Sequence, residues 1–145
     1  MMPRSLVNVP VLVVDAWPVL EWFYKRSPVV NLFTNMLESA SRGEIHLCMS
    51  RLNLGEVYYS VVKKYDETAA GLLMRHLRAL PIEVISVSDS HVDVAARLKG
   101  VHNISYADAF GAALSIECNA PLVTGDSDFL PLASANILSL HWLGV

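Results

Sequence analysis

Cysteine and charge are both scarce in this sequence of 145 residues. The only two cysteines, Cys48 and Cys118, lie among apolar residues, which excludes a disulfide-rich scaffold. Charged residues make up 17% of the chain, against roughly 25% in ordinary globular proteins. Hydrophobic residues make up 53%. A fold whose strands are covered on both faces needs this much apolar material.

Long apolar runs are also missing. None reaches the roughly 18 residues that a membrane-spanning helix needs, and the nearest candidate, residues 9–20, is interrupted by Asp15 and Pro18. The amino terminus has no long apolar core before Asp15, so we predict no signal peptide. We therefore expect a cytoplasmic protein of one domain, residues 1–145, with no membrane partner and with both cysteines buried and reduced.

Short apolar runs alternate with helical patterns along the chain. We predict strands at residues 11–14, 45–49, 83–85, 121–124 and 137–140. We predict helices at residues 18–27, 28–41, 51–65, 66–79, 88–98 and 105–117, and a helical turn near residue 129. Ser50 is the expected N-cap of the third helix, and Gly43 and Gly100 are expected to end the second and the fifth. The alternation predicts the α/β class, with a five-strand parallel sheet covered by helices on both faces.

Four acids from separate segments fall near one edge of this sheet. Asp15 directly follows the first strand, and Asp126 lies two residues past the end of the fourth. Asp108 lies in the first turn of one helix, and Glu56 in the second turn of the helix that follows the second strand. In parallel sheets of this class, ligands bind at the carboxyl ends of the strands. We therefore expect the four acids to meet there.

Each acid except one also has a purely local explanation. Asp108 could complete a capping box with Ser105, Asp126 could cap the following turn, and Glu56 could be a solvated helix residue. Glu56 is expected to lie opposite the apolar stripe of its helix, which is Leu54, Tyr58, Val61 and Tyr65. Asp15 has no evident local task at the end of an apolar strand. The joint occurrence of the four favours a functional site.

Carboxylates that gather at one place need a counter-charge. Two unit charges 4 Å apart repel by roughly 1 kcal/mol in water and about 4 kcal/mol at an effective dielectric constant of 20. Ligation by oxygen alone suits Mg²⁺ or Mn²⁺ rather than zinc. Such ions activate water and stabilise an in-line phosphoryl displacement. We predict that the site is catalytic and binds Mg²⁺ or Mn²⁺ through Asp15, Glu56, Asp108 and Asp126.

The overall charge neither requires nor excludes a nucleic-acid partner. The formal net charge is −3, from fourteen acids and eleven basic residues. Without the four acids above and Asp128, nine acids remain against eleven basic residues. A mildly basic surface around a metal-neutralised site could accept a phosphate backbone, although the balance is also ordinary for a protein without such a partner.

The motifs together resemble those of the PIN-domain ribonucleases, and most of all the VapC-type toxins of bacterial toxin–antitoxin pairs. The resemblance runs from Val11 to the carboxyl terminus and lies in VLVVD at 11–15, SRLNLGEV at 50–57, SYADA at 105–109 and LVTGDSDF at 122–129. It implies a single PIN-like domain that cleaves RNA with Mg²⁺ or Mn²⁺. It also implies metal-binding and supporting positions, which are Asp15, Glu56, Asp108 and Asp126 for the metal and Asp128 and Thr124 in support.

The resemblance further implies partners. It implies a homodimer and a small antitoxin protein, and we expect the antitoxin to place Arg or Lys against Asp15, Asp108 and Asp126. One position departs from the family pattern. The family often has a small hydroxyl or amide residue two positions after the first Asp, where this chain has Trp17.

Two other functions stay open. A Mg²⁺-dependent phosphatase or phospho-receiver also uses Asp residues at this edge of a parallel sheet. A phosphatase would need a second acid at position 17, and a receiver would need a Lys after the last strands, but none follows Lys99. A non-catalytic RNA-binding or dimerisation module is the second alternative.

Overall fold

The computed structural model describes residues 9–144, which form a five-stranded parallel sheet. The strands are β1 (Val11–Val14), β2 (His46–Ser50), β3 (Ile82–Ile85), β4 (Leu122–Thr124) and β5 (Leu140–Trp142). Their order across the sheet is β3-β2-β1-β4-β5. β1 and β4 pair in parallel, with Val13 beside Leu122 and Val14 beside Val123. The predicted fold class is confirmed.

Seven helices connect the strands in the described part of the chain. They are α1 (Ala16–Phe23), α2 (Val29–Ser41), α3 (Arg51–Lys64), α4 (Glu67–Arg78), α5 (Asp89–Val101), α6 (Tyr106–Cys118) and α7 (Leu130–Ser134). A 3₁₀ turn, Ser127–Phe129, precedes α7. The Ser50 and Ser105 side chains cap α3 and α6, as their sequence positions predict. Between residues 9 and 144, no helix has the length and hydrophobicity required to span a bilayer.

The sheet separates two hydrophobic clusters, because successive side chains of a strand point to opposite faces. Val14 packs in the cluster beneath α1 to α4. Val13 packs in the cluster beneath α5 to α7. Helices therefore cover both faces, which explains why the central strand β1 is apolar at every position rather than at alternate ones.

The strand order reverses between β1 and β4. From β1 the chain adds β2 and β3 on one side, and then β4 and β5 on the other. Connections that leave the two central strands in opposite directions open a crevice at their carboxyl ends. Asp15 follows β1 and Asp126 follows β4 at this crevice.

Three local predictions are wrong. The last strand begins at Leu140 rather than residue 137, because Ile137 and Leu138 pack against the cluster beneath α5 to α7 before pairing starts. Gly100 does not end α5, which continues to Val101. Cys118 is exposed at the end of α6, although Cys48 is buried and both thiols are free as expected.

Candidate metal centre

Asp15 lies at the junction of β1 and α1 and is only 2% exposed. Its Oδ2 accepts hydrogen bonds from the Thr124 hydroxyl at 2.9 Å and from the Trp17 backbone N–H at 3.4 Å. The second bond makes Asp15 the N-cap of α1. The expectation that Asp15 has no local structural task is therefore wrong. Its Oδ1, however, is buried without a hydrogen-bond partner.

The inner group of carboxylates consists of Asp15, Glu56 and Asp108. One oxygen from each lies within 4.8 Å of one oxygen from each of the others. They come from the end of β1, the second turn of α3 and the first turn of α6. Asp15 and Asp108 are buried, and Glu56 is half-buried. Three carboxylates at this separation repel one another strongly unless protons or a cation neutralise them.

The outer group consists of Asp108, Asp126 and Asp128, and it shares Asp108 with the inner group. Its oxygens also lie within 4.8 Å of one another. Asp126 is half-buried and Asp128 is exposed. Asp126 also caps the 3₁₀ turn, because its Oδ1 accepts the Asp128 N–H at 2.9 Å. Asp126 therefore caps the turn and belongs to the outer group at the same time.

Thr124 links the two sides of the crevice. It is fully buried at the end of β4. Its hydroxyl donates to Asp15 Oδ2 at 2.9 Å and accepts the Asp126 N–H at 3.1 Å. One hydroxyl therefore fixes the orientation of Asp15 and of the backbone that carries Asp126. The structure places all four predicted metal-binding acids and both predicted supporting residues around this crevice, while their roles remain predictions.

Asn53, which the sequence analysis did not single out, holds Glu56 in place. It is completely buried in α3. Its Nδ2 donates to Glu56 Oε1 at 3.1 Å and to the Ala107 carbonyl at 2.9 Å. Both N–H bonds of the amide are thus used, and they tie Glu56 to the first turn of α6 beside Asp108. The available sequence signal was a polar residue three positions before Glu56, on the same side of the helix.

The apolar stripe expected for α3 is correct for Leu54 and Val61, which pack in the cluster beneath α1 to α4, and wrong for its two tyrosines. The buried residues of α3 are Asn53, Val57 and Val61, whereas Tyr58 is 39% exposed and Tyr65 is 58% exposed. Val57 and Val61 pack in the cluster beneath α1 to α4, and Asn53, at the edge of this face, bonds the Ala107 carbonyl of α6. Glu56 consequently lies at the border of the buried face rather than opposite it.

Gly111 provides the space for this arrangement. A Cβ atom at this position of α6 would lie 3.3 Å from Asn53 Oδ1 and 3.8 Å from Asp15 Oδ1. Both of these oxygens are buried without a hydrogen-bond partner. Oxygens in this state lose the bonds that water would offer, so they favour a ligand that brings positive charge or a donor.

Burial and mutual repulsion make these acids hard to ionise. The pKa of the Asp15 carboxyl is raised from 3.8 to about 8, by burial first and then by the charges of Asp108 and Glu56. The pKa of Asp108 is raised to about 7, by burial first and then by Asp126 and Glu56. Burial also raises the pKa of Glu56, while its bond to Asn53 lowers it. A bound cation would reverse these shifts, since it favours the ionised form.

Trp17 fills the place where the family often has a small polar residue. A Cβ atom at Gly125 would lie 2.3 Å from Trp17 Cη2, so the indole lies directly against the backbone of Gly125. Trp17 is half-buried and packs against the cluster beneath α1 to α4. Its side chain therefore packs beside the crevice, and its backbone N–H donates to Asp15.

The donor set fits Mg²⁺ or Mn²⁺. Two groups of three carboxylates share Asp108, and the buried Asp15 Oδ1 has no other partner. Hard divalent cations prefer such all-oxygen surroundings, and both ions accept six oxygen ligands from carboxylates and water. The inner group would supply carboxylate ligands from the protein interior, while the exposed Asp128 leaves the outer group open to solvent.

Comparison with known proteins identifies the family. The PIN domain family matches residues 12–134. No curated protein sequence matches the chain. Among solved structures, the chain is similar to VapBC2 from Rickettsia felis bound to a fragment of promoter DNA, with a TM-score of 0.71 and 18% identity over 90% of this chain and 97% of that one.

Two further structures have the same fold. The first is Mycobacterium tuberculosis VapC20, described as a Sarcin-Ricin loop cleaving toxin, with a TM-score of 0.69 and 16% identity over 83% of this chain and 93% of that one. The second is DNA-bound VapBC from Salmonella typhimurium, with a TM-score of 0.65 and 13% identity over 84% of this chain and 92% of that one. With a family match across most of its length and a carboxylate-lined crevice at the strand-order reversal, this chain belongs to the PIN-domain family.

Proposed function

We propose that this protein is a metal-dependent ribonuclease and the toxin of a toxin–antitoxin pair. The observation that carries the proposal is the pair of three-carboxylate groups that share Asp108. Two adjacent cation sites are the arrangement with which many phosphodiester-cleaving enzymes stabilise both the attacking and the leaving oxygen. Asp15, Glu56, Asp108 and Asp126 are the proposed ligands, with Asp128 and Thr124 in support.

The bound cation would supply an activated water and a Lewis acid at the scissile phosphate. The residues of the chain prepare its binding. Thr124 orients Asp15 through a hydrogen bond to Oδ2, which leaves Oδ1 free for a cation. Asn53 holds Glu56 toward Asp108. Because Thr124 and Asn53 are themselves fully buried, they hold these ligands in place before a cation binds.

The substrate class is supported by a structural neighbour. VapC20 of Mycobacterium tuberculosis is described as cleaving the Sarcin-Ricin loop, and this chain has its fold. RNA is therefore the substrate that we propose here. The competing hypothesis is a phosphatase or phospho-receiver. This chain lacks the second acid that a phosphatase needs at position 17 and has no Lys after Lys99, which a receiver would need.

The decisive test compares RNA cleavage by the wild type and by Asp108→Asn. Single-stranded RNA is incubated with each protein across a Mg²⁺ and a Mn²⁺ series, with a chelator as blank. We expect cleavage by the wild type and a loss of about a hundredfold or more in the variant, since a metal-bound transition state is stabilised by several kcal/mol. Asp93→Asn is the matched control, because Asp93 is an exposed carboxylate on α5.

Other outcomes would favour the alternatives. Hydrolysis of p-nitrophenyl phosphate without RNA cleavage would point to the phosphatase. RNA binding without cleavage in either metal would point to the non-catalytic module. Equal cleavage by Asp108→Asn and the wild type would contradict the proposed site even if RNA is cut.

The proposed antitoxin would block the site with a cation. An Arg guanidinium offers a planar fork of donors that matches carboxylates, and Lys offers a less directional charge. Because Asp128 is exposed and Asp126 half-buried, we expect the guanidinium to enter past these two carboxylates. From there it would reach the buried Asp108 and Asp15, which keeps the contacts expected from the sequence. The neighbours that are VapBC complexes support such a partner.

Co-expression tests the antitoxin proposal. The partner encoded beside the toxin should co-purify with it and inhibit RNA cleavage. Replacing its basic residues with Ala should weaken inhibition, most strongly at high Mg²⁺, because the metal competes for the same carboxylates. If such a variant inhibits RNA cleavage as strongly as the unchanged partner, this mechanism of inhibition is wrong, but the nuclease proposal still stands. The homodimer stays a prediction, which light scattering of the purified chain checks.

A further inference from the structure

The side of α3 that carries Glu56 continues away from the carboxylates as an aromatic and basic surface. Tyr59 and Lys63 follow Glu56 by three and seven residues, a spacing that places all three on one side of a helix. Tyr59 is 47% exposed, and Lys63 Nζ lies 5.2 Å from the centre of its ring. Burial, and then the charges of Glu56 and Asp108, raise the pKa of the Tyr59 hydroxyl, as expected for a ring beside the cluster.

A second group of rings and cations adjoins the end of α3. Lys64 Nζ lies 4.3 Å and Arg26 Cζ 4.8 Å from the centre of the Tyr24 ring. The Tyr65 ring is 6.0 Å from that of Tyr24 and is 58% exposed. Four of the ten Lys and Arg residues between positions 9 and 144 lie at the end of α3 or next to Tyr24. They are Lys25, Arg26, Lys63 and Lys64. The basic charge of this acidic protein is thus concentrated near one end of α3.

We propose that this α3 surface, defined as Tyr59, Lys63, Lys64 and Tyr65, binds the RNA strand on which the site acts. The proposal rests on the nuclease function proposed above. Exposed rings stack on bases of any sequence, and cations beside them neutralise the phosphates. The carboxylate cluster repels phosphate, so a substrate strand needs attraction from a neighbouring surface. The α3 surface provides it, and its Tyr59 and Lys63 lie on the same side of the helix as Glu56.

Helix geometry sets the distance at which the strand is held. Seven residues separate Glu56 from Lys63, which is about 10 Å along the axis. At about 3.4 Å per nucleotide in a stacked strand, this corresponds to roughly three nucleotides. We therefore expect contacts about three nucleotides from the scissile bond on one side. An acidic peptide could satisfy the cations, but it would leave the exposed faces of Tyr59 and Tyr65 without a role.

The test measures RNA affinity directly. The full-length protein carrying Asp108→Asn, so that RNA stays intact, is titrated into a labelled 12-nucleotide RNA, with fluorescence anisotropy as readout, across a KCl series. Adding Lys63→Gln and Lys64→Gln should lower affinity about tenfold and reduce the slope of log K against log salt by roughly 1.4, about 0.7 per phosphate contact. Tyr59→Ala should lower affinity about tenfold, whereas Tyr59→Phe should retain it.

The control and the contrary results separate this proposal from the nuclease itself. Arg97→Gln with Lys99→Gln removes the same charge from α5, on the opposite face of the sheet, and should leave affinity within twofold. Unfolding midpoints of all variants should match, which excludes misfolding as the cause. If the wild type cleaves RNA but the α3 variants bind it as tightly as their parent, the proposed RNA-binding role of the α3 surface is wrong and the nuclease proposal stands. If RNA binding depends on the α3 surface but the wild type cleaves no RNA, the nuclease proposal is wrong and the RNA-binding role of the surface stands. Loss of antitoxin binding but not of RNA binding would assign the surface to a protein partner and overturn the proposal.

Discussion

Replacing Asp15 with Asn should stabilise the metal-free protein while destroying its activity. The substitution keeps the shape of the side chain and removes its charge. The Asn oxygen can still accept from Thr124 and Trp17, and the amide nitrogen would replace Oδ1, which has no partner. The wild-type carboxylate is buried beside two other acids, so its ionisation opposes folding until a cation binds.

The magnitude follows from the raised pKa. Each unit corresponds to about 1.4 kcal/mol. At pH 7 the folded protein keeps Asp15 largely protonated, whereas the unfolded chain ionises it, because pH 7 lies roughly three units above the ordinary pKa of 3.8. This difference costs the folded state about 4 kcal/mol. Asp15→Asn removes this cost, so we expect the unfolding midpoint to rise by roughly 10 °C in a chain of this size.

The pH dependence has a definite sign. The folded pKa of Asp15, about 8, lies above the ordinary value of 3.8. The folded state therefore binds more protons across this interval, and the free energy of unfolding falls as the pH rises. Between pH 5.5 and 8 the metal-free wild type should lose about 3 kcal/mol of unfolding free energy through Asp15. Titration of Asp108 should add a further loss over the same interval. The part due to Asp15 should be missing in Asp15→Asn.

Urea denaturation in a chelator at pH 5.5, 7 and 8 measures these differences, with Asp93→Asn as the exposed control. RNA cleavage in Mg²⁺ or Mn²⁺ is measured on the same samples. The reasoning would be refuted by equal unfolding free energies of Asp15→Asn and the wild type at pH 8. Full RNA cleavage by Asp15→Asn would instead contradict its role as a metal ligand, so the two claims are tested separately.

Four further predictions concern neighbouring residues. Mn²⁺ should raise the unfolding midpoint of the wild type at pH 7, and Asp108→Asn should lose most of this rise in a thermal scan, because it removes a ligand from both groups. Asn53→Ala should weaken Mn²⁺ binding, measured calorimetrically, by about tenfold or more, and the effect should largely vanish in a Glu56→Gln background if Asn53 acts by holding Glu56. Gly125→Ala should cost about 1–3 kcal/mol of unfolding free energy, because its Cβ would meet the Trp17 indole, and Trp17→Ala should relieve the clash. Gly55→Ala, whose Cβ meets nothing within 4 Å in α3, should instead stabilise the protein by about 0.5–1 kcal/mol.

Local chemistry made most of the fold predictable. Short β-branched apolar runs such as Val11–Val14 favour buried strands, and hydroxyl caps such as Ser50 and Ser105 mark where helices begin. The prediction fails where packing outweighs local signals. Residues 137 and 138 are apolar enough for a strand, yet they pack into a cluster before pairing starts at Leu140.

The sequence by itself determined the class of fold and which acids follow the central strands. That information is local, since strand ends and helix starts depend on neighbours within a few residues. Only the tertiary structure decided that Asp108 belongs to two carboxylate groups, that Asn53 holds Glu56 against α6, and that Gly111 leaves room for both. These contacts join segments more than fifty positions apart, such as Asn53 and Ala107. Their distances depend on how the helices pack on the finished sheet, which no local pattern encodes.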